Sequence, residues 1–225
     1  MIPVCIDLET RPRDMTPDEL RANALKSSLN KCKKPDTRAA WADDPDNQIA
    51  AWARGSVSMV DARIVAWAAI VDGSEVQSWA DWNDEGAGLR RLCGLLDSVP
   101  GTIQWVGHGI VGFDLPLLRI AAARHRLKWL RDAVPTYRYD RAIYDNMHEA
   151  VKPAGRINGV TADALAQSLG LPGKGPLADL DFPNLYAMAA NPRSEFTPDE
   201  IVMTLERRAR VDVVTEWRTY ECLTD

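Results

Sequence analysis

The stretch Pro3-Val4-Cys5-Ile6-Asp7-Leu8-Glu9-Thr10 decides how the rest of the chain is interpreted. Its apolar beginning predicts a short buried strand that ends in two acids. Side chains alternate faces along a strand, so Asp7 and Glu9 are expected on the same face. Two carboxylates about 4 Å apart repel by roughly 4 kcal/mol at an effective dielectric of about 20. Such a pair beside an apolar strand is expected to bind a cation or a proton that reduces the repulsion. A strand end with two solvated acids is the simpler alternative.

Length and composition predict one α/β domain. The chain has 225 residues, of which 46% are hydrophobic, and this is ample for a packed core. A polar, proline-containing segment at about 11–58 interrupts the apolar pattern and predicts an insertion of helices and loops. It begins with a capping box at Thr16 and contains Trp41 and Trp52, which we expect to anchor it by packing.

The other predicted elements alternate between strands and helices, as in α/β folds. The predicted strands are Arg63–Val71, Glu75–Ala80, Thr102–Val106 and a short edge strand within Thr136–Tyr144. The predicted helices are Pro17–Asn30, one short helix within Lys31–Gln48, Asp84–Asp97, a helix capped by Asp114, Val160–Leu169, Phe182–Ala190 and a last helix from Pro198 to about Tyr220.

Net charge and cysteine content indicate the cellular compartment and the kinds of binding partner that we expect for this protein. Four scattered cysteines without a C-x-x-C pair argue against a zinc knuckle or a disulfide framework, so we expect a reducing, cytoplasmic environment. No apolar run approaches the roughly 18 residues of a membrane span, and we expect no signal peptide. A net charge of −5 argues against a broad basic nucleic-acid surface. The negative net charge does not exclude an enzyme that binds the phosphates of its substrate through metal ions.

Two further acids lie where they can join Asp7 and Glu9. Asp114 follows a glycine-rich loop at a predicted strand-to-helix junction, where α/β enzymes place their chemistry, although helix capping alone would explain it. Asp212 shares a helix face with Leu205 and Arg208, and an acid on such a face needs a partner. A salt bridge to an arginine is the simpler explanation.

These four acids, in this order, resemble the motifs of the DEDD 3′–5′ exonucleases of the ribonuclease H-like fold. The chain is most similar to standalone phage-type exonucleases related to the proofreading domains of DNA polymerases. The matching segments are Asp7-Leu8-Glu9-Thr10, Gly107-His108 with Phe113-Asp114-Leu115-Pro116, the intermediate segments around Asp145 and Asp163–Lys174, and Asp212-Val213-Val214-Thr215.

The resemblance implies a fold, an activity and a set of site residues. It implies a ribonuclease H-like mixed sheet flanked by helices and hydrolysis of single-stranded nucleic acid, with DNA as the expected substrate, from a free 3′ end. The implied metal ligands and catalytic residues are Asp7, Glu9, Asp114 and Asp212, which would hold two Mg²⁺ or Mn²⁺ ions. The implied substrate contacts are Thr10, Phe113 and Arg208. A DNA polymerase or replication protein is the implied partner, in a bacterial or phage-infected cell.

Two positions depart from the family pattern. The family commonly has Asn five residues before its second-motif Asp, where this chain has Gly109. It also has Tyr four residues, or His five residues, before its last Asp, where this chain has Arg208 and Arg207. Arginine only donates hydrogen bonds and stays charged, so neither residue can act as a general base. Either could hold a phosphate oxygen or position a water molecule.

Three alternatives remain open at this stage. The first is an impaired exonuclease-fold module that binds nucleic acid or a protein. The second is a glycosidase with a carboxylate pair, but nothing else in the sequence indicates a sugar groove. The third is a serine or cysteine hydrolase, which lacks support because there is no G-x-S-x-G motif.

Overall fold

In the computed structural model, residues 1–29, 31–151, 160–176, 185–186 and 197–224 are described. The chain divides into two compact units. The first unit comprises Met1–Glu9, Ile64–Leu180 and Val202–Asp225, and the second comprises Thr10–Arg63 and Asp181–Ile201. The insertion predicted at about 11–58 lies within the second unit. That the whole chain forms one domain stays a prediction. The helix predicted over Phe182–Ala190 lies outside the described residues except for 185–186, which are helical.

Five strands form one sheet in the described part of the chain, in the order β3-β2-β1-β4-β5. They are β1 (Ile2–Pro12), β2 (Ala62–Val71), β3 (Gln77–Ala80), β4 (Ile103–Gly107) and β5 (Ile143–Asp145). β1 runs parallel to β4, and β4 runs parallel to β5, whereas β2 and β3 are antiparallel. The sheet is therefore mixed, and helices flank it. The predicted α/β class is confirmed at this level.

The predicted helices within the described residues agree with the structure to within a few residues, with one exception, and two short helices, Lys128–Ala133 and Asn146–Val151, were not predicted. The helices are α1 (Pro17–Ser28), α2 (Pro35–Asp43), α3 (Pro45–Ala53), α4 (Glu85–Asp97), α5 (Asp114–Arg124), α6 (Lys128–Ala133), α7 (Asn146–Val151), α8 (Ala162–Ser168) and α9 (Pro198–Thr224). The predicted capping box at Thr16 is present at the start of α1. The exception is that α2 and α3, each with a proline in its first turn, replace the single short helix predicted there. None of the described helices is both long and apolar enough to cross a bilayer.

The core of the first unit joins the sheet to α9. Cys5 on β1, Ala68 on β2 and Val106 on β4 are buried in one cluster with Ala209 and Val213 of α9. Small side chains at these positions let the helix approach the sheet closely. This packing fixes α9 beside the strand that carries the first two acids, so the face of α9 with Asp212 is positioned by core burial.

The second unit has a small core of its own. Ala24, Ala42 and Ala51 are buried together, with Trp41 packed against them. The indole N–H of Trp52 donates to the carbonyl oxygen of Arg13 at 2.9 Å. Both tryptophans thus stabilise the insertion through contacts inside this unit.

Helix α4 offers a matched pair of glycines that tests the packing of the first unit. A Cβ atom at Gly88 would lie 2.3 Å from the ring of Trp79, whereas a Cβ at Gly94 would have no neighbour within 4 Å. Gly88→Ala should therefore lower the free energy of unfolding by about 1–3 kcal/mol through overpacking. Gly94→Ala should raise it by roughly 0.4–1 kcal/mol because the unfolded chain loses entropy. Urea unfolding curves measure both, and equal effects of the two substitutions would contradict this packing.

Candidate metal centre

Three of the predicted acids come together at the end of the β1 segment that belongs to the first unit. Asp7 and Glu9 lie on β1 and Asp212 lies on α9, and a carboxylate oxygen from each lies within 4.8 Å of the other two. Ile6 and Leu8, which alternate with the two acids along β1, are buried at 1% and 6% exposure. The alternation expected from the sequence thus brings Asp7 and Glu9 together, and core packing of α9 brings Asp212 to them.

Two carboxylate oxygens of this triad are buried without a hydrogen-bond partner among the described residues. They are Oδ2 of Asp7 and Oδ1 of Asp212, and Asp212 as a whole is only 3% exposed. Leaving a buried acceptor unsatisfied costs about 1–3 kcal/mol, and more when the group is charged. Clustered carboxylate oxygens are the ligands preferred by Mg²⁺ and Mn²⁺. The triad therefore fits a hard divalent cation.

Two basic side chains contact the same triad. The ammonium Nζ of Lys174 lies 2.8 Å from Oδ2 of Asp212. Nε of Arg208 lies 3.2 Å from Oε1 of Glu9 and 3.4 Å from Oδ2 of Asp212. Arg207, its neighbour in sequence, is exposed. The arginine expected as a partner for Asp212 is therefore Arg208, and Lys174 is a second partner.

Asp114 lies beside the triad's strand but outside the group of three. It is the first residue of α5, and Phe113 occupies the N-cap position, so the prediction that Asp114 is the N-cap was wrong by one residue. The physical reason is that its carboxylate reaches back to β1, where Oδ1 accepts the backbone N–H of Leu8 at 3.3 Å. This contact ties the strand-to-helix junction after β4 to the strand that carries Asp7 and Glu9.

Asp145 has a structural role at the end of β5. Its Oδ1 accepts the backbone N–H groups of Gly109 at 2.9 Å, Met147 at 3.1 Å and His148 at 3.3 Å. Gly109 has a φ of +68°, a left-handed conformation that suits glycine. Asparagine also tolerates this conformation, so the backbone does not explain why position 109 is glycine.

The predicted substrate contacts differ in their surroundings. Thr10 belongs to the second unit and is buried, and its hydroxyl donates to the carbonyl oxygen of Ser56 at 2.6 Å. Its own carbonyl accepts the hydroxyl of Tyr186. Phe113 is partly exposed, as a side chain that touches a ligand must be. Substrate binding by Thr10, Phe113 and Arg208 stays a prediction.

Two residues of the cluster were missed from the sequence. Glu216 lies one helical turn after Asp212 and is only 5% exposed, and Lys174 approaches from the loop after α8. Extending the spacing that links Arg208 and Asp212 along α9 would have identified Glu216. The segment Asp163–Lys174 was matched to the family, but the sequence did not predict that Lys174 contacts Asp212, because this contact depends on how a loop folds back.

Burial raises the pKa of four acids at the centre, which are Asp7, Glu9, Asp114 and Glu216. It raises the pKa of Asp7 well above its ordinary value, with the charges of Asp212 and Glu9 adding to the effect. Burial raises the pKa of Glu9 to about 8 although the charge of Arg208 opposes the shift. It raises the pKa of Asp114 to about 7, against hydrogen bonds from backbone N–H groups. Burial and the charges of Asp114 and Asp212 also raise the pKa of Glu216.

Comparisons with known proteins leave the family unassigned. No protein-family model, no curated protein and no solved structure matches the chain. The resemblance in motif order and the geometry of the acids are therefore the grounds for a functional proposal.

The raised pKa values predict how stability depends on pH when no divalent cation is present. The folded protein binds protons at Glu9 and Asp114 more tightly than the unfolded chain does, so folding takes up protons between about pH 5 and about pH 8. Stability should therefore fall as pH rises through this range. Melting temperatures measured in a chelator should show the fall, and Glu9→Gln should reduce it.

Glu19 in the second unit supplies the control for this titration. Its hydrogen bond to Arg13 lowers the pKa of its carboxyl to about 2, so it stays ionised throughout the range. Glu19→Gln should therefore leave the slope of the melting temperature against pH unchanged. A metal-free melting temperature that rises from pH 5 to pH 8 would contradict the burial of protonated acids at the centre.

Proposed function

We propose that this chain is a divalent-cation-dependent 3′–5′ exonuclease with a ribonuclease H-like fold. The observation that carries the proposal is the triad of Asp7, Glu9 and Asp212, with ligand atoms within 4.8 Å and buried oxygens left without partners. The order of the sheet supports it, because β1 lies at the centre and its acids meet an acid from the last helix. The sequence motifs supply the reaction class.

The residues at the metal centre have separate roles in the proposed reaction. Asp7, Glu9 and Asp212 would hold the cation, and Asp114 keeps β1 and α5 together through the N–H of Leu8. A bound divalent cation would polarise the scissile phosphate and lower the pKa of the attacking water. Arg208 holds Glu9 and Asp212 in place, and as a donor it can also contact a phosphate oxygen.

The substrate follows from charge as well as from motif. With a net charge of −5, the chain has no excess of positive charge with which to hold a long nucleic acid. A strand that enters by its 3′ end and is held at its last phosphates is compatible with that balance. The resemblance to the exonucleases implies that the substrate is single-stranded nucleic acid, with DNA expected, and that a polymerase or replication protein is the partner.

Digestion of a single-stranded oligonucleotide labelled at its 5′ end tests the proposal. With Mg²⁺ or Mn²⁺ the full chain should produce a ladder that shortens from the 3′ end, and EDTA should abolish it. Asp7→Asn should lower turnover at least about 100-fold because it removes a ligand of the cation. Asp97→Asn, an exposed acid at the end of α4, should leave turnover unchanged. Equal ladders from wild type and Asp7→Asn would reject the function.

A second candidate function is supported by the two basic side chains at the triad. Lys174 and Arg208 already form ion pairs with Asp212, and Arg208 replaces the residue that would orient the attacking water in the family. In this alternative the chain binds nucleic acid or a protein without turnover. It predicts oligonucleotide binding but no ladder with any divalent cation, and it predicts that Arg208→Tyr creates cleavage. Efficient cleavage by the wild type would exclude it.

A further inference from the structure

The two most exposed aromatic side chains of the described residues are close together in the turn before β5. Tyr137 is 62% exposed and Tyr139 is 57% exposed. Their ring centroids lie 5.5 Å apart with the ring planes at 71°, which is an edge-to-face contact. This contact orients the two rings, and more than half of each side chain remains accessible to a ligand.

Positive charge accompanies these rings. The guanidinium carbon of Arg138 lies 4.9 Å from the ring centroid of Tyr139, within the range of a cation–π contact. Arg141, two residues after Tyr139, is exposed. The acid between them, Asp140, accepts the backbone N–H of Ala142 at 2.9 Å and thereby closes the turn. The turn therefore presents aromatic rings and two arginines at one place, although the net charge of the chain is −5.

Hydrogen bonds connect this turn to the edge of the sheet where the metal centre lies. The ring of Tyr139 lies 6.1 Å from that of His148, whose backbone N–H donates to Oδ1 of Asp145. The same oxygen accepts the N–H of Gly109, in the loop that leads to Asp114. β5 lies two strands from β1, which is roughly 10 Å across the sheet. A strand with its 3′ end at the metal centre can therefore reach the turn within a few nucleotides.

We propose that Tyr137, Arg138, Tyr139 and His148, together called the aromatic patch, bind the single-stranded nucleic acid a few nucleotides from its 3′ end. This inference rests on the proposed function, because it adds a second contact to the same substrate. Bases of any sequence stack on exposed aromatic rings, and arginine adds cation–π and phosphate contacts. Stacking gives affinity to a chain that has no excess of positive charge.

Fluorescence anisotropy of a labelled oligothymidylate of about 12 nucleotides tests the aromatic patch. The titration is done with the full chain in EDTA, so that metal-dependent cleavage does not shorten the probe. Tyr139→Ala should weaken binding about 5- to 150-fold, because the stacking of a base is lost. Tyr139→Phe keeps the ring and should bind like the wild type. Trp129→Ala removes an exposed aromatic side chain of α6 that is outside the patch, and it should also bind like the wild type.

A probe of the same length without bases separates stacking from charge. Removing the bases should weaken binding to the wild type, and it should weaken binding less in the double variant Tyr137→Ala/Tyr139→Ala, which has already lost the stacking. Arg138→Gln should also reduce the dependence of binding on salt, because one phosphate contact is lost. An equal effect of base removal in the wild type and in the double variant would overturn the stacking role.

The outcomes distinguish this inference from the proposed function. A metal-dependent ladder, together with oligonucleotide binding that Tyr139→Ala leaves unchanged, would overturn the aromatic patch and retain the exonuclease. Binding that depends on the tyrosines, without a ladder under any divalent cation, would support the patch and reject the exonuclease. No binding of the oligothymidylate by the wild type would overturn the patch as a nucleic-acid surface and would favour a protein as its partner.

Discussion

The interaction on which the site depends is the repulsion between carboxylates buried where β1 meets α9. Asp7, Glu9 and Asp212 lie within a few ångströms of one another, and Glu9 and Asp212 are buried while Asp7 is partly buried. Such a group is stable only if protons or cations neutralise it. The raised pKa values and the ion pairs with Lys174 and Arg208 both reduce the repulsion between these carboxylates.

The topology explains why the acids meet at this place. β1 is the central strand and runs parallel to β4 and β5, so the carboxyl ends of all three strands lie at one edge of the sheet. Asp114 follows β4 and Asp145 ends β5 at that same edge. In open α/β sheets this edge is where ligands bind. The cluster is therefore a consequence of strand order together with the packing of α9 through Ala209 and Val213.

The features that the sequence predicted are those set by short-range patterns. Alternation on β1 predicted that Asp7 and Glu9 share a face, and the capping box at Thr16 predicted the start of α1. The features it missed depend on long-range contacts. Asp114 was displaced from the cap because its carboxylate binds the N–H of Leu8, far away in sequence. Lys174 reaches Asp212 only because its loop is held by Asp163.

Holding protons and holding a metal are alternative states of the same oxygens. A buried acid with a pKa of about 8, such as Glu9, is largely protonated at neutral pH until a cation displaces the proton. Under the proposed function, Arg208 cannot accept the proton of the attacking water, so that proton would go to a carboxylate or to solvent. In the metal-free protein, burial raises the pKa of Glu9 to about 8 and that of Asp114 to about 7, so both carboxyl groups exchange protons with solvent near neutral pH. The proposed exonuclease therefore has carboxylates and solvent, rather than a Tyr or His, as the acceptors of that proton.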